Sequence, residues 1–251
     1  MVCRLSFRDA HARFLRLASG ALFALALIGA PGDARTEAVA VELILAIDCS
    51  SSVQPEEYAL QMRGVADAFR SPEVIQAIAS ATPNGVAVTL VQWSGESMQT
   101  QALPWTHVHD KESAAAFAQQ VEESPQYMQW GATAIGEALS FSVGLFEDNG
   151  FEGVRQVIDV SGDGSSNQGE FPTVVRPLVI AAGVTINGLA ILNDEPNLDK
   201  YYKEQVIGGK RSFVERAKDF ADFGAAIRRK LIREIGSPPS VRLDTQTARA
   251  R

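Results

Sequence analysis

Only two of the 251 residues are cysteine, Cys3 and Cys49, so a small domain stapled by disulfides is excluded. Histidine is equally scarce, with three residues. That leaves little material for an imidazole-based metal centre or a proton-relay triad. Positive charge is also in deficit. Against 30 acidic residues stand 23 basic ones, a net charge of −7, which argues against a nucleic-acid partner because binding to phosphates needs a basic surface. There is no internal repeat and no low-complexity block. No Gly-x-Ser-x-Gly elbow and no Gly-x-x-x-x-Gly-Lys-Ser/Thr loop occurs. Hydrophobic residues make up 46 %, too many for a chain whose main state is disorder, and the length suits one domain with a full core.

The longest apolar run lies near the start. Arg4, Arg8, Arg13 and Arg16 precede an uncharged stretch from Leu17 to Ala30, which is followed by Pro31, Gly32 and small residues. The stretch falls short of the roughly twenty residues of a membrane span and has the three-part form of a secretory signal. Residues 1–34 are therefore read as a signal peptide, cleaved after Ala30 or Ala34. A cut after Ala40 would enter the first strand. The mature chain is expected to be exported, periplasmic or secreted, more acidic than the precursor, and without stable membrane insertion. It keeps one cysteine, Cys49, expected to be sheltered.

Beyond the leader, short apolar runs suited to strands buried on both faces alternate with helical patterns. The strands are Val41 to Ile47, Val86 to Trp93, Val154 to Val160 and Val184 to Leu192. Helical spacing covers Pro55 to Phe69, Asp110 to Glu122, Ala134 to Phe146, Pro172 to Ala182 and Asp219 to Ile235. A tight link at Trp93 to Ser97 leads into an extra strand, Met98 to Trp105, expected to be an antiparallel edge. The pattern predicts an α/β fold of the Rossmann-like, doubly wound kind. Its central sheet is mostly parallel with one antiparallel edge strand, and helices lie on both faces. The domain is placed at 35–236, Asn193 to Gly209 is read as a surface loop with a short helix, and 237–251 as a disordered tail.

Open α/β sheets carry their sites at the C-terminal ends of strands. The first strand runs into Asp48-Cys49-Ser50-Ser51-Ser52, and the strand 154–160 into Ser161-Gly162-Asp163-Gly164-Ser165-Ser166-Asn167. Trp130-Gly131-Ala132-Thr133 precedes a helix. Two carboxylates and three hydroxyls suit Mg²⁺, Mn²⁺ or Ca²⁺ better than Zn²⁺ or Cu²⁺.

Asp48-x-Ser50-x-Ser52, then Thr133 in Gly-Ala-Thr, then Asp163 in Ser-Gly-Asp-Gly, resembles the metal-ion-dependent adhesion site (MIDAS) of the von Willebrand factor A (VWA) domain, over roughly residues 39–235. Ala132 to Leu139 looks like that family's entry into the helix after the threonine. Tyr58-Ala59-Leu60-Gln61 and Tyr201-Tyr202…Val206-Ile207-Gly208-Gly209 are similar to a bacterial subgroup of exported proteins of unknown function with this domain. The resemblance implies a metal site of Asp48, Ser50, Ser52, Thr133 and Asp163. The Ser50 and Ser52 hydroxyls would bind directly, Thr133 directly or through water, and Asp48 and Asp163 mostly through water. It also implies an open position that accepts an acidic side chain of a partner protein.

Plainer readings stand beside these. The serines also read as a helix cap and Asp163-Gly164 as a turn. His107 and His109 read as an exposed polar pair, and Trp93, Trp105 and Trp130 as core or rim packing. Lys200 to Lys203 and Arg228-Arg229-Lys230 read as helix-end charge. Three functions follow: a non-enzymatic module gripping an acidic group through a divalent cation, a metal-dependent hydrolase or phosphatase of the envelope using Asp48, or an assembly factor with the site empty. A phosphatase of the haloacid-dehalogenase type needs a second carboxylate two residues after the first. Ser50 holds that position.

Overall fold

A computed structural model describes residues 36–236. The expected leader, 1–34, and the expected tail, 237–251, lie outside the described residues. Six strands form one sheet: β1 (Glu37–Asp48), β2 (Val86–Trp93), β3 (Gln99–Val108), β4 (Phe151–Gly162), β5 (Thr185–Ile191) and β6 (Val214–Ala217), in the order β3-β2-β1-β4-β5-β6. All neighbours are parallel except β2 and β3, which form an antiparallel hairpin closed by Ser94 N–H to Met98 O. The expected sheet, with its antiparallel edge, is the one found.

The helices are α1 (Pro55–Arg70), α2 (Pro72–Ser80), α3 (Lys111–Glu123), α4 (Ile135–Gly144), α5 (Pro172–Ala181), α6 (Leu198–Tyr201) and α7 (Phe223–Ile235). They cover both faces because the central strands are apolar on both. Leu43, Leu45 and Ile47 of β1 enter a core with Phe69, Phe117 and Phe223. Ile44 and Ala46 enter a second core with Trp93, Leu139, Val160 and Tyr202. At about 25 cal/mol per Å² of apolar surface, burial on two faces is what makes the continuous apolar run of β1 a strand rather than a half-exposed one.

Four features depart from expectation. Helix α2 follows α1 after a single residue, Ser71, whose Oγ accepts from Val74 N–H while Pro72 opens the helix. Strand β6 is a four-residue edge in Val214–Ala217, too short to show a periodicity. Residues 193–209 carry the expected short helix, but the excursion is anchored rather than loose. Helix α6 runs into a π-turn (Tyr202–Val206), and Leu198, Tyr202 and Val206 are fully buried, which fixes this excursion to the second core. The last helix also begins at Phe223 rather than Asp219.

Candidate metal site

The strand order reverses direction between β1 and β4. The chain leaves β1 toward β2 on one side and leaves β4 toward β5 on the other, which opens a crevice at their C-terminal ends. Ile47 pairs with Ser161, so the next residues, Asp48 and Gly162-Asp163, enter that crevice together.

Four of the five expected side chains form one connected chain. Asp48 Oδ1 accepts from Ser50 N–H at 2.7 Å, Ser50 Oγ and Ser52 Oγ lie 3.2 Å apart, and Ser52 Oγ donates to Asp163 Oδ1 at 2.8 Å. Asp48, Ser50 and Asp163 are buried, and Ser52 forms the exposed lip. The fifth, Thr133, is buried in the adjoining loop. Asn167 holds its peptide on both sides: Thr133 N–H donates to Asn167 Oδ1 and Asn167 N–H donates to Thr133 O, each at 2.9 Å. This clamp sets Thr133 beside Gly164. A Cβ on that glycine would lie 3.8 Å from Thr133 Oγ1.

Small residues permit the convergence. A Cβ on Gly162 would stand 2.7 Å from Asp48 Oδ2 and 2.8 Å from the Tyr202 hydroxyl. Gly131 has φ +115° and would strike Ser94 Oγ with any side chain. Its backbone is tied to the serine turn by Ser51 N–H to Gly131 O and Gly131 N–H to Ser51 Oγ, both 3.0 Å. The serines do not cap α1, whose N-cap is Gln54.

Electrostatically the crevice is unfinished. Among the described residues, Asp48 Oδ2, Asp163 Oδ2 and the Tyr202 hydroxyl are buried with no hydrogen-bond partner. Burial, and then the charge of Asp163, push the Asp48 carboxyl up to about 7, against the pull of its hydrogen bonds from Ser50. Burial also raises Asp163. Two buried carboxylates with spare oxygens require a proton or a cation. Among the described residues no three His, Cys, Asp or Glu side chains gather as for a metal ion, so a metal centre here would rest on hydroxyl oxygens as well as carboxylates.

Sequence patterns assign several supporting groups no role. Asn167 is one. Glu195 is another: it accepts from Ser165 N–H (2.9 Å) and Oγ (2.6 Å), fixing the loop after Asp163. Tyr201 and Tyr202 come from the excursion read as a surface loop. The pair of adjacent tyrosines in an otherwise polar stretch was the available signal for a buried anchor. Cys49 points away into the first core, and burial pushes its thiol up, so it stays protonated and inert.

Residues 38–239 match the family described as "Protein of unknown function (DUF1194)". The chain belongs to that family. No curated protein matches it in sequence. In fold it is similar to proximal thread matrix protein 1 from the mussel byssus, solved with a zinc-occupied MIDAS motif. The two are 20 % identical with a TM-score of 0.57, over 78 % of this chain and 48 % of the mussel protein. It is likewise similar to the vWF domain of the type V pili tip protein Mfa5 from Porphyromonas gingivalis (12 % identity, TM-score 0.53, 80 % of this chain and 97 % of that domain). A third is the pilus adhesin SpaC from Lactobacillus rhamnosus GG (12 %, 0.55, 78 % and 30 %). The chain thus spans about half the length of the mussel protein and less of SpaC. At these identities the shared property is the VWA-like fold.

Proposed function

We propose that this protein is a non-enzymatic binding module that grips an acidic side chain of a partner protein through a divalent cation. Asp48, Ser50, Ser52, Thr133 and Asp163 would hold the ion. The observation that carries the reading is the pair of spare, buried carboxylate oxygens, Asp48 Oδ2 and Asp163 Oδ2, in a crevice whose other donors are hydroxyls. A bound cation supplies an under-neutralised charge with a position open to an outside carboxylate. Asp48 orients the Ser50 peptide, Asp163 orients the Ser52 hydroxyl, and Asn167 fixes Thr133. Mg²⁺ is the expected ion, with Mn²⁺ or Ca²⁺ next, since the donors are all oxygen. The zinc in the mussel protein of similar fold, and the adhesin and pilus-tip roles in the names of the others, support adhesion as the class of function. Export to the periplasm or beyond, expected from the leader pattern, agrees with it.

Calorimetric titration of the purified protein tests the reading. One site for Mg²⁺ or Mn²⁺ is expected, abolished in Asp48→Ala and Asp163→Ala. A pull-down from envelope extract should then yield a partner that EDTA releases. Metal-dependent turnover of a phosphate ester that dies with Asp48→Asn would replace this reading with the hydrolase one.

A further inference from the structure

At the opposite end of the sheet from Asp48 lies a cavity of about 570 Å³, a size ordinary for small-molecule sites. It is formed by the N-terminal halves of β4 and β5, the loop 208–213 and the end of α7. Three cations line it, Arg155, Lys210 and Arg211, in a chain whose overall charge is −7. Its apolar part comes from Val154, Val157 and Phe213.

The cationic wall is built rather than incidental. Arg155 is half-buried, and its Nη2 donates to Glu234 O at 2.7 Å, which fixes the guanidinium and leaves other N–H donors. Burial lowers Arg155 from the ordinary guanidinium value, Glu234 opposes this, and the charge of Arg211, which lines the same cavity, lowers it further. Arg211 keeps φ +62°, a backbone conformation uncommon for a non-glycine residue, in the turn at 210–211. The loop that carries it is pinned: Ile186 N–H donates to Gly208 O (2.8 Å), Gly208 N–H to Ile186 O (3.1 Å), and Phe213 N–H to Asn187 Oδ1 (3.0 Å). Arg233 lies 3.8 Å over the Phe213 ring and steadies the apolar wall.

Among the described residues the one carboxylate lining the cavity, Glu234, does not make it anion-repelling. Lys230 Nζ and Asn187 Nδ2 both donate to Glu234 Oε1 at 2.7 Å, with Lys230 fully buried. We propose that this cavity binds a small organic anion, an oxyacid head on an apolar body, held by Arg155, Lys210 and Arg211 with the body against Val154, Val157 and Phe213. The site is independent of the crevice at Asp48 and stands or falls without it.

Amide chemical shifts of the isotope-labelled protein, titrated separately with benzoate, phenyl phosphate, inorganic phosphate and uncharged benzamide, test the proposal. Saturable shifts at Gly183, Thr185 and Ser212 are expected with benzoate or phenyl phosphate, and which of the two binds tighter tells a carboxylate site from a phosphate site. Lys210→Gln combined with Arg211→Gly should weaken that binding at least tenfold. Both positions are exposed, and glycine relieves the positive φ, so folding is not at issue. The proposal is overturned if no probe saturates at millimolar concentration, if benzamide binds as well as benzoate, if inorganic phosphate matches phenyl phosphate, or if the double variant binds unchanged.

Discussion

The Ser52 hydroxyl donates a 2.8 Å hydrogen bond to Asp163 Oδ1, joining two strand ends that are 111 residues apart in the chain. This bond spans the crevice between β1 and β4. It leaves the second oxygen of Asp163, like that of Asp48, buried and without a partner among the described residues.

A divalent cation bound there stabilises the folded state by mass action. Mg²⁺ or Mn²⁺ at a hundred times its Kd should add about 2.7 kcal/mol to the unfolding free energy. A thermal melt with and without EDTA reads this out. Asp48→Asn should abolish the metal-dependent rise in Tm and leave the metal-free Tm unchanged or higher, because it removes one of two buried like charges.

The metal-free protein should lose stability as pH rises from about 4 to 7. Asp48 titrates near 7 when folded, against about 3.9 for a free carboxylate. Over that interval the folded state retains a proton that the unfolded chain has released, which lowers its stability with rising pH. Denaturant melts at pH 4.5 and 7 should differ in that direction, and Asp48→Asn should reduce the difference without abolishing it, because burial raises Asp159 and Asp163 as well.

Gly162→Ala places a Cβ within 3 Å of both Asp48 Oδ2 and the Tyr202 hydroxyl. Neither neighbour is free to retreat, since both are buried. We expect a cost of about 1–3 kcal/mol in chemical denaturation and a weakened metal response.

Lys230 tests a different part of the fold. Its Nζ lies 2.5 Å from Asp159 Oδ1 on β4 and 2.7 Å from Glu234 Oε1 on α7, with all three residues buried. Lys230→Met strands two carboxylates and should cost about 3–5 kcal/mol. Adding Asp159→Asn and Glu234→Gln should recover much of that loss.

The strand and helix alternation was legible because burial on both faces writes continuous apolar runs such as Val41 to Ile47, and because Pro55 and Pro172 mark helix starts. The proposed site rests on three short polar phrases at predicted strand or helix ends; the reversal between β1 and β4 brings the Asp48–Ser52 and Asp163 phrases to one crevice, and Asn167 holds Thr133 in the loop beside it. Other features were hidden for physical reasons. Strand β6 is four residues long, below any period. Helix α2 follows Ser71 with no loop to announce it. Lys230 lies in an Arg-Arg-Lys run that reads as exposed charge, and only the fold shows that it turns inward while Arg229 pairs outside with Glu215. The clamp of Asn167 on Thr133 and the buried Tyr202 depend on contacts between distant segments, which no local pattern carries.

A crystal structure from protein grown with MnCl₂, with anomalous data at the manganese edge, tests the central claim most directly. The account predicts one strong peak in the crevice, within coordination reach of the Ser50 and Ser52 hydroxyls and flanked by Thr133, Asp48 and Asp163. A map with no peak there, while the Ser52–Asp163 hydrogen bond persists unchanged, would contradict it.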